Sequence, residues 1–527
     1  MKKESIICLI VTLIFGFICY YFMLPAINLQ SLGFWAFVGL ILAFYSISIF
    51  STSIDRWGRI KNVNKTTIIS FSTIFVIIIG VLFINFVASP LFHSKSYSER
   101  IAINENGNFT EDVKQVDFNA LPLLDKESSS KLGDRVMGQL PEMVSQYYVA
   151  DNYTQINYND NIIRVTPLEY NGFFKYLNNR KEGISGYITV NSVTGESSLI
   201  KLDEGMKYAP SAIFNEDLYR KLRFSYPFDV FGDMNFEIDN DGRPYWIVPV
   251  MKFSAVGLKR DVNAVIIFDP VTGSSEKYKV EDAPTWVDHV YESDLIIEQV
   301  DNWGMYKNGF LNSIFGQKDV VMTTEGYNYT VMNDDVYLYT GITSVSNDEA
   351  NVGFIMTNMR TKQTTYYKVS GAEEYSAMAS AEGQVQQMNY TATFPLLINL
   401  NNKPTYLISL KDNAGLVKMY AFVDVVDYQK VVVTEATEGI TKAAENYLGD
   451  ESLNAGGHLL SKEITVSTIA NATIDGTTYY YIEDSEEKRY RVSIKIEKEK
   501  LPFIEKGEKI KISYKEEKEV TEILGLE

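Results

Sequence analysis

Outside its carboxylates, this sequence holds few side chains that can do chemistry. Its three histidines, His93, His289 and His458, lie far apart and never in a His-x-x-x-His pattern. Its two cysteines, Cys8 and Cys19, fall in the first twenty residues. A zinc site of nitrogen and sulfur ligands needs three or four such groups, so none is expected. Disulfide and thiolate chemistry is likewise excluded for everything after Cys19. Asp288-His289 offers half of a Ser–His–Asp set, but 284–299 reads as helix, where adjacent residues point about 100° apart. A surface or packing role is expected for both.

Asp239-Asn240-Asp241-Gly242 matches the core of a calcium loop, with Glu237, Asp239 and Asp241 at ligand positions. The bidentate glutamate six residues past the glycine is replaced by Val248. The pattern also sits between Phe236 and Tyr245, where a hairpin turn is expected. Sixty-seven Asp and Glu residues guarantee some close pairs, which keeps a carboxylate-dependent hydrolase open as a third reading. No Gly-rich phosphate loop, nucleophile elbow or dinucleotide fingerprint is present. The expectation is no catalytic residue, no metal, no cofactor and no enzyme activity. Near the C-terminus, Tyr479, Tyr480 and Tyr481 precede Lys488, Arg489, Tyr490 and Arg491. Strand alternation puts Tyr479 and Tyr481 on one face, where with Arg489 and Arg491 they form a candidate surface for stacking sugars or bases. The alternative is a core face with solvated charges beside it.

The elements that must carry these residues divide sharply. Ser5 to Ile54 and Thr66 to Ser94 are uncharged, and contain three apolar runs, Ile6–Ile27, Leu32–Ile49 and Ile68–Phe92. Each matches the roughly 20 residues a helix needs to cross about 30 Å of hydrocarbon, so 1–92 is expected to be a three-helix anchor contacting the bilayer through 6–92. Lys2 and Lys3 precede the first run, and Arg56, Arg59, Lys61 and Lys65 separate the second from the third. The positive-inside rule then places the N-terminus in the cytoplasm and 93–527 outside. The first 92 residues hold six basic and two acidic side chains, so the chain's net −18 leaves −22 for the rest. Such acidity argues against nucleic acid as partner. A cysteine-free exported portion fits a Gram-positive bacterium.

A polar tether and first small segment is expected over 93–165. A hairpin then recurs: Ile184–Val190 with Ser197–Leu202, Ala264–Phe268 with Glu276–Val280, Gly353–Met356 with Thr364–Val369, and Met419–Val423 with Val431–Thr434. A further strand precedes the last three, and helix-like segments follow at 284–299, 372–385 and 435–448, Pro284 suiting a first helical turn. The units are expected at 166–230, 231–310, 311–390 and 391–460, each burying one sheet face and showing the other. Asp269-Pro270-Val271-Thr272-Gly273 is expected as a tight turn, with Gly415 outside any hairpin turn. Five short strands over 461–527 suggest a small barrel of the OB type.

The recurring strand, Asp-x-x-Thr-Gly turn, strand pattern resembles the PepSY module of bacterial envelope proteins. Gly371-Ala372-Glu373-Glu374, Phe394-Pro395, Pro404-Thr405-Tyr406 and Leu410 to Lys418 extend the likeness to uncharacterised membrane-anchored envelope proteins, some labelled cell-shape-determining. Over about 160–500 this resemblance implies an envelope location and a non-enzymatic role. The fold class is thus α+β, with three N-terminal transmembrane helices, repeated PepSY-like antiparallel sheet-plus-helix modules and an OB-like β-barrel. The function expected first is a scaffold binding other envelope proteins in the cell membrane. The alternative is a tethered regulator or sensor that inhibits an envelope protease or hydrolase, or binds a peptide or glycan.

Overall fold

The computed structural model describes residues 3–54, 65–345, 347–449, 460–474, 477–486, 488–494, 500–515 and 521–526. Helices α1 (Lys3–Met23), α2 (Leu32–Ser51) and α3 (Lys65–Val87) are each long and apolar enough to cross a membrane. They turn Phe17, Phe22, Phe75 and Leu82 outward, a surface suited to hydrocarbon. The third apolar run continues to Phe92, yet its helix stops at Val87. Proline disfavours helical backbone in the residue before it; Ser89 is extended, and Pro90 opens a new helix, α4 (Pro90–Ser98). Lys65 starts α3, exposed, while Arg56, Arg59 and Lys61 lie outside the described residues.

Past the anchor come strand β1 (Ile103–Gly107) and the short helix α5 (Phe109–Asp112), then four units of one topology. Unit I comprises α6 (Lys126–Gly138), α7 (Pro141–Val144), β2 (Tyr147–Val149), β3 (Thr154–Tyr158), β4 (Asn161–Tyr170), α8 (Phe173–Asn179), β5 (Ile184–Asn191) and β6 (Ser197–Met206). Unit II comprises α9 (Leu218–Ser225), β7 (Val230–Phe231), β8 (Asn235–Ile238), β9 (Pro244–Lys252), β10 (Asp261–Phe268) and β11 (Ser275–Lys279). Unit III follows with α10 (Ser293–Tyr306), β12 (Val321–Thr323), β13 (Asn328–Met332), β14 (Asp335–Ser344), β15 (Asn347–Asn358), β16 (Thr364–Tyr367) and β17 (Gly371–Ala372). Unit IV has α11 (Glu374–Gln384), β18 (Thr391–Ala392), β19 (Leu396–Leu400), β20 (Lys403–Lys411), β21 (Val417–Asp424) and β22 (Val431–Glu435), and α12 (Ile440–Leu448) packs on its last strands. In every sheet the long strand, β4, β9, β14 or β20, pairs with both strands before it and with the one after it. The repeat is therefore five strands. It also includes the first unit, whose sheet begins at Tyr147, inside the stretch expected as tether and first small segment.

One turn recurs with the sheets. Asn191, Asp269, Asn358 and Asp424 each end or directly follow a strand, and the side-chain Oδ1 accepts from the backbone N–H two and three residues on, at 2.8–3.1 Å. These are Asx turns, in which a short side chain imitates a backbone carbonyl. In the first three the fifth residue has positive φ: Gly195, Gly273 and Lys362. Gly415 also lies in a hairpin turn, contrary to expectation. Its N–H donates to Asp412 O between β20 and β21, at φ +74°.

The sheets stack in chain order, which corrects the expectation of one exposed face per sheet. From sheet II, Trp246, Val248, Ile266 and Phe268 pack against unit I, while Ile247, Met251, Val265 and Ile267 pack against unit III. From sheet III, Val336, Leu338 and Ile355 face unit II, and Tyr339, Phe354 and Met356 face unit IV. Strand alternation sends neighbouring side chains to opposite faces, so runs such as Val265-Ile266-Ile267 feed two cores at once. Burial on both faces leaves inner sheets II and III little surface to offer a partner.

Residues 99–125 are a strap within the stack rather than a loose tether. Strand β1 pairs in parallel with β16. Phe109, Val113, Val116, Phe118, Leu121 and Leu123 then enter the core shared by units III and IV, and Leu124 N donates to Ser192 O of unit I. The stack also grips the anchor where α1 ends. Arg220 Nε donates to Tyr21 O at 3.3 Å and Arg223 Nε to Leu24 O at 2.9 Å, with the Arg220 guanidinium 4.3 Å from the centre of the Tyr21 ring. Both cations satisfy carbonyls at a helix C-terminus, where positive charge is favoured. Gly257 N donates to Gln30 O, and Asn85 Nδ2 to Val256 O. The stack thus sits at the end of the bundle that holds the α1–α2 turn.

The last block is a closed barrel of β23 (Leu460–Ile474), β24 (Thr477–Asp484), β25 (Arg489–Ser493), β27 (Thr521–Leu526) and β26 (Lys509–Lys515), in that order around the ring. Ile464, Ile482, Val492, Ile512 and Ile523 fill it.

Candidate functional site: a cleft shared by four sheets

A cavity of about 910 Å³ opens where all four units meet. Unit I contributes the start of α6 from Asp125, the β2–β3 connection Asp151–Tyr153, and Arg164 of β4; unit II contributes 233–235 and, from the segment that follows β11, His289, Tyr291 and Glu292. Ser293 and Asp294 open α10 at its edge, Tyr327–Tyr329 come from unit III, and Phe394 from unit IV. The segment expected as helix from Pro284 is irregular up to Ser293, because its own apolar groups are drawn into the core. Val287, Val290 and Tyr291 are buried, and the N–H groups of Val290 and Tyr291 both donate to Met359 O of unit III.

Arg164 forms the floor. It is 5% exposed, its Nε has no partner, and the guanidinium makes no hydrogen bond or ion pair among the described residues. Burial pulls its pKa down to about 10, against the opposing pull of Tyr329 and Asp125. Its cross-strand neighbour Gln155 is also buried with both amide atoms unpaired. Buried polar groups are normally satisfied, so two adjacent exceptions mark this floor as unusual.

Around the floor the polar groups are held in place. His289 Nε2 lies 2.7 Å from Gln155 O. Burial, with Arg164 adding to it, lowers the His289 pKa to about 4, so the ring is neutral and Nε2–H donates to that carbonyl. Behind it, Glu237 accepts from the N–H groups of Asp288 and His289 at 2.8 and 2.9 Å, and burial raises its carboxyl to about 7. Asp288 Oδ2 accepts from Asn157 N at 2.7 Å, and burial pushes its carboxyl up as well. Ser293 and Tyr329 hydrogen-bond through their hydroxyls. Asp125 caps α6 through Ser128 N and takes Lys411 of unit IV at 2.7 Å, which keeps its pKa low against the upward push of burial. The rim is acidic: among the described residues lining the cleft are Asp125, Glu127, Asp151, Asp233, Glu292 and Asp294 against the cations Lys126 and Arg164, with Lys411 pairing Asp125 and Glu127 and Arg260 pairing Glu292 from outside the lining. Asp151, Asp233 and Asp294 make no ion pair among the described residues.

Of the residues singled out by sequence, His289 lines the cleft with Asp288 and Glu237 behind it, and the others fall elsewhere. Asp239 follows β8 and its Oδ1 accepts from Asp241 N and Arg243 N, with Gly242 at φ +78°, so 239–242 is a hairpin turn. His93 lies in α4, and His458 is outside the described residues. Among the described residues no group of three His, Cys, Asp or Glu is placed to hold a metal. On the barrel, Tyr479 pairs with Ser493, Tyr481 with Arg491, and Glu483 with Arg489, while Tyr480 packs toward the core. The Arg491 guanidinium sits 5.3 Å from the Tyr479 ring centre, and Arg489 Nε donates to Glu483 at 3.3 Å. Tyr479, Tyr481, Arg489 and Arg491 thus share a face, well separated in sequence from the cleft residues. The sequence signal for Arg164 is a single charge inside the apolar run Ile162-Ile163-Arg164-Val165, where charged side chains are rarely buried unless paired. No known family model and no curated protein matches this chain.

Proposed function

We propose that this chain is a membrane-anchored, non-catalytic binding protein of a bacterial envelope, holding a ligand-capturing stack on the outer side. The observation that carries this reading is the cleft of about 910 Å³ with a buried arginine, unpartnered among the described residues, as its floor. Ligand sites are commonly concave, with a few placed polar groups, and found where domains meet. The arrangement favours a tethered sensor over a scaffold of repeated docking faces, because sheets II and III are consumed by their neighbours. Catalysis finds little support there. His289 donates to a carbonyl and Ser293 bonds a tyrosine, so the described lining presents no nucleophile–base pair.

Orientation rests on Lys2, Lys3, Arg56, Arg59, Lys61 and Lys65, and on the stack's position beside the uncharged α1–α2 turn. A reporter fused after Lys65 should behave as cytoplasmic and one fused after Glu527 as external. The reverse pattern refutes the topology. Crosslinking in intact cells, followed by identification of captured molecules, tests the binding role. Turnover of peptidoglycan or peptide by the full chain, abolished by one carboxylate substitution, would overturn it.

The four units read as PepSY-like and the barrel as OB-like; the recurring Asx-turn hairpin supports the first, and the closed five-strand order the second. The barrel face at Tyr479, Tyr481, Arg489 and Arg491 favours a second contact there, with a glycan or an envelope protein.

A further inference from the structure

We infer that the cleft takes a small zwitterion, a short peptide with free ends, its carboxylate on Arg164 and its ammonium on the acidic rim. The inference rests on reading the cleft as a binding site, and it names the ligand class. Two features of opposite sign carry it. The floor holds one guanidinium, nine-tenths buried and without a partner among the described residues, with a Gln155 amide unsatisfied among them beside it. The rim carries Asp151, Asp233 and Asp294, which make no ion pair among the described residues, next to Glu292, which is already engaged by Asp233 N and Arg260.

Asp125, Glu127 and Glu292 are offset by Lys411, Lys131 and Arg260, but a simple anion such as phosphate would still reach Arg164 only by passing Asp151, Asp233 and Asp294 against Lys126. A simple cation would be drawn to the rim but repelled from the floor. A neutral sugar would leave the arginine charge buried and unanswered, which is costly. A molecule with a carboxylate at one end and an ammonium at the other meets both demands, and guanidinium is the group best shaped for bidentate carboxylate capture. The volume falls in the range of small-molecule sites and leaves room for side chains against Phe394, Tyr327 and Met234.

The test uses the full chain in lipid nanodiscs and three equimolar tripeptide mixtures: free at both ends, N-acetylated, and C-amidated. Retention is read by native mass spectrometry and melting temperature. The free mixture should be retained at one peptide per chain, and blocking either end should weaken binding about tenfold or more, as for loss of a charged hydrogen bond. Arg164→Met should make free and amidated peptides bind alike. It should also raise the melting temperature of the ligand-free protein, because it removes an unpaired buried charge; a merely structural arginine would lower it. Equal retention of free and blocked mixtures overturns the zwitterion and leaves the binding site standing. No retention with a stabilising Arg164→Met sinks the peptide class alone, whereas no retention with a destabilising Arg164→Met sinks the binding site too.

Discussion

The hairpin turns of sheets II and III make the same hydrogen bonds around different residues. Gly273 N donates to Asp269 O and Lys362 N to Asn358 O, each at 2.9 Å, and both donors have positive φ, +75° and +62°. In sheet II the turn is pressed against Tyr208, where a Cβ on Gly273 would lie 2.3 Å from the ring. Only glycine meets both conditions. In sheet III the same backbone carries a lysine whose Nζ bonds Asp261 of sheet II at 2.8 Å and lies 5.1 Å from the Tyr291 ring centre. The difference teaches that a backbone demand set by the turn is met by whichever residue its surroundings reward. Glycine serves where space is short, and a strained side chain serves where it ties two units together.

Substitutions at these turns sharpen the comparison. Gly273→Val meets both the dihedral strain and the ring, and should cost about 3 kcal/mol, read as a large drop in melting temperature. An unchanged melting temperature would break the turn assignment. Gly415→Val carries the same dihedral strain, but its nearest obstacle is the flexible end of Lys131, so a smaller loss of about 1–2 kcal/mol is expected. Lys362→Met keeps the strain and loses a partly buried ion pair with Asp261, for about 1 kcal/mol by denaturant titration. Lys362→Gly loses the pair and relieves the strain, so its stability should fall within about 0.5 kcal/mol of the natural chain. If Lys362→Gly proved worse than Lys362→Met, the lysine's dihedral would not be strained.

The parts legible in the sequence are those specified locally. Apolar runs of about twenty residues announced three helices. Alternating strands around Asx-type turns announced the hairpins, and alternation put Tyr479 and Tyr481 on one barrel face. Gly415 was misread because Asp412-Asn413-Ala414-Gly415 closes the hairpin of β20 and β21 rather than the one after β21. Stacking was illegible for a different reason. Continuous apolar runs such as Ile247-Val248 report burial on two faces, but not what does the burying. The cleft was least legible, since Arg164, His289, Tyr329 and Phe394 come from four units and meet only through the stack.

The strap sets the order in which the chain can be completed. Asn399 Nδ2 bonds Val113 O, and Ser409 Oγ bonds Leu123 O, each pair 286 residues apart. Contacts so distant in sequence form late, after the loop between them has closed. Phe109, Val113 and Phe118 leave the ribosome early, yet their cover, from Tyr339 to Tyr447, follows hundreds of residues later. Throughout that interval the newborn chain carries an uncovered apolar segment beside its own membrane anchor. Truncation before unit IV would leave that segment with only its unit III cover, such as Tyr367 against Phe109, so shortened products of this chain should aggregate or be degraded rather than persist as smaller folded proteins.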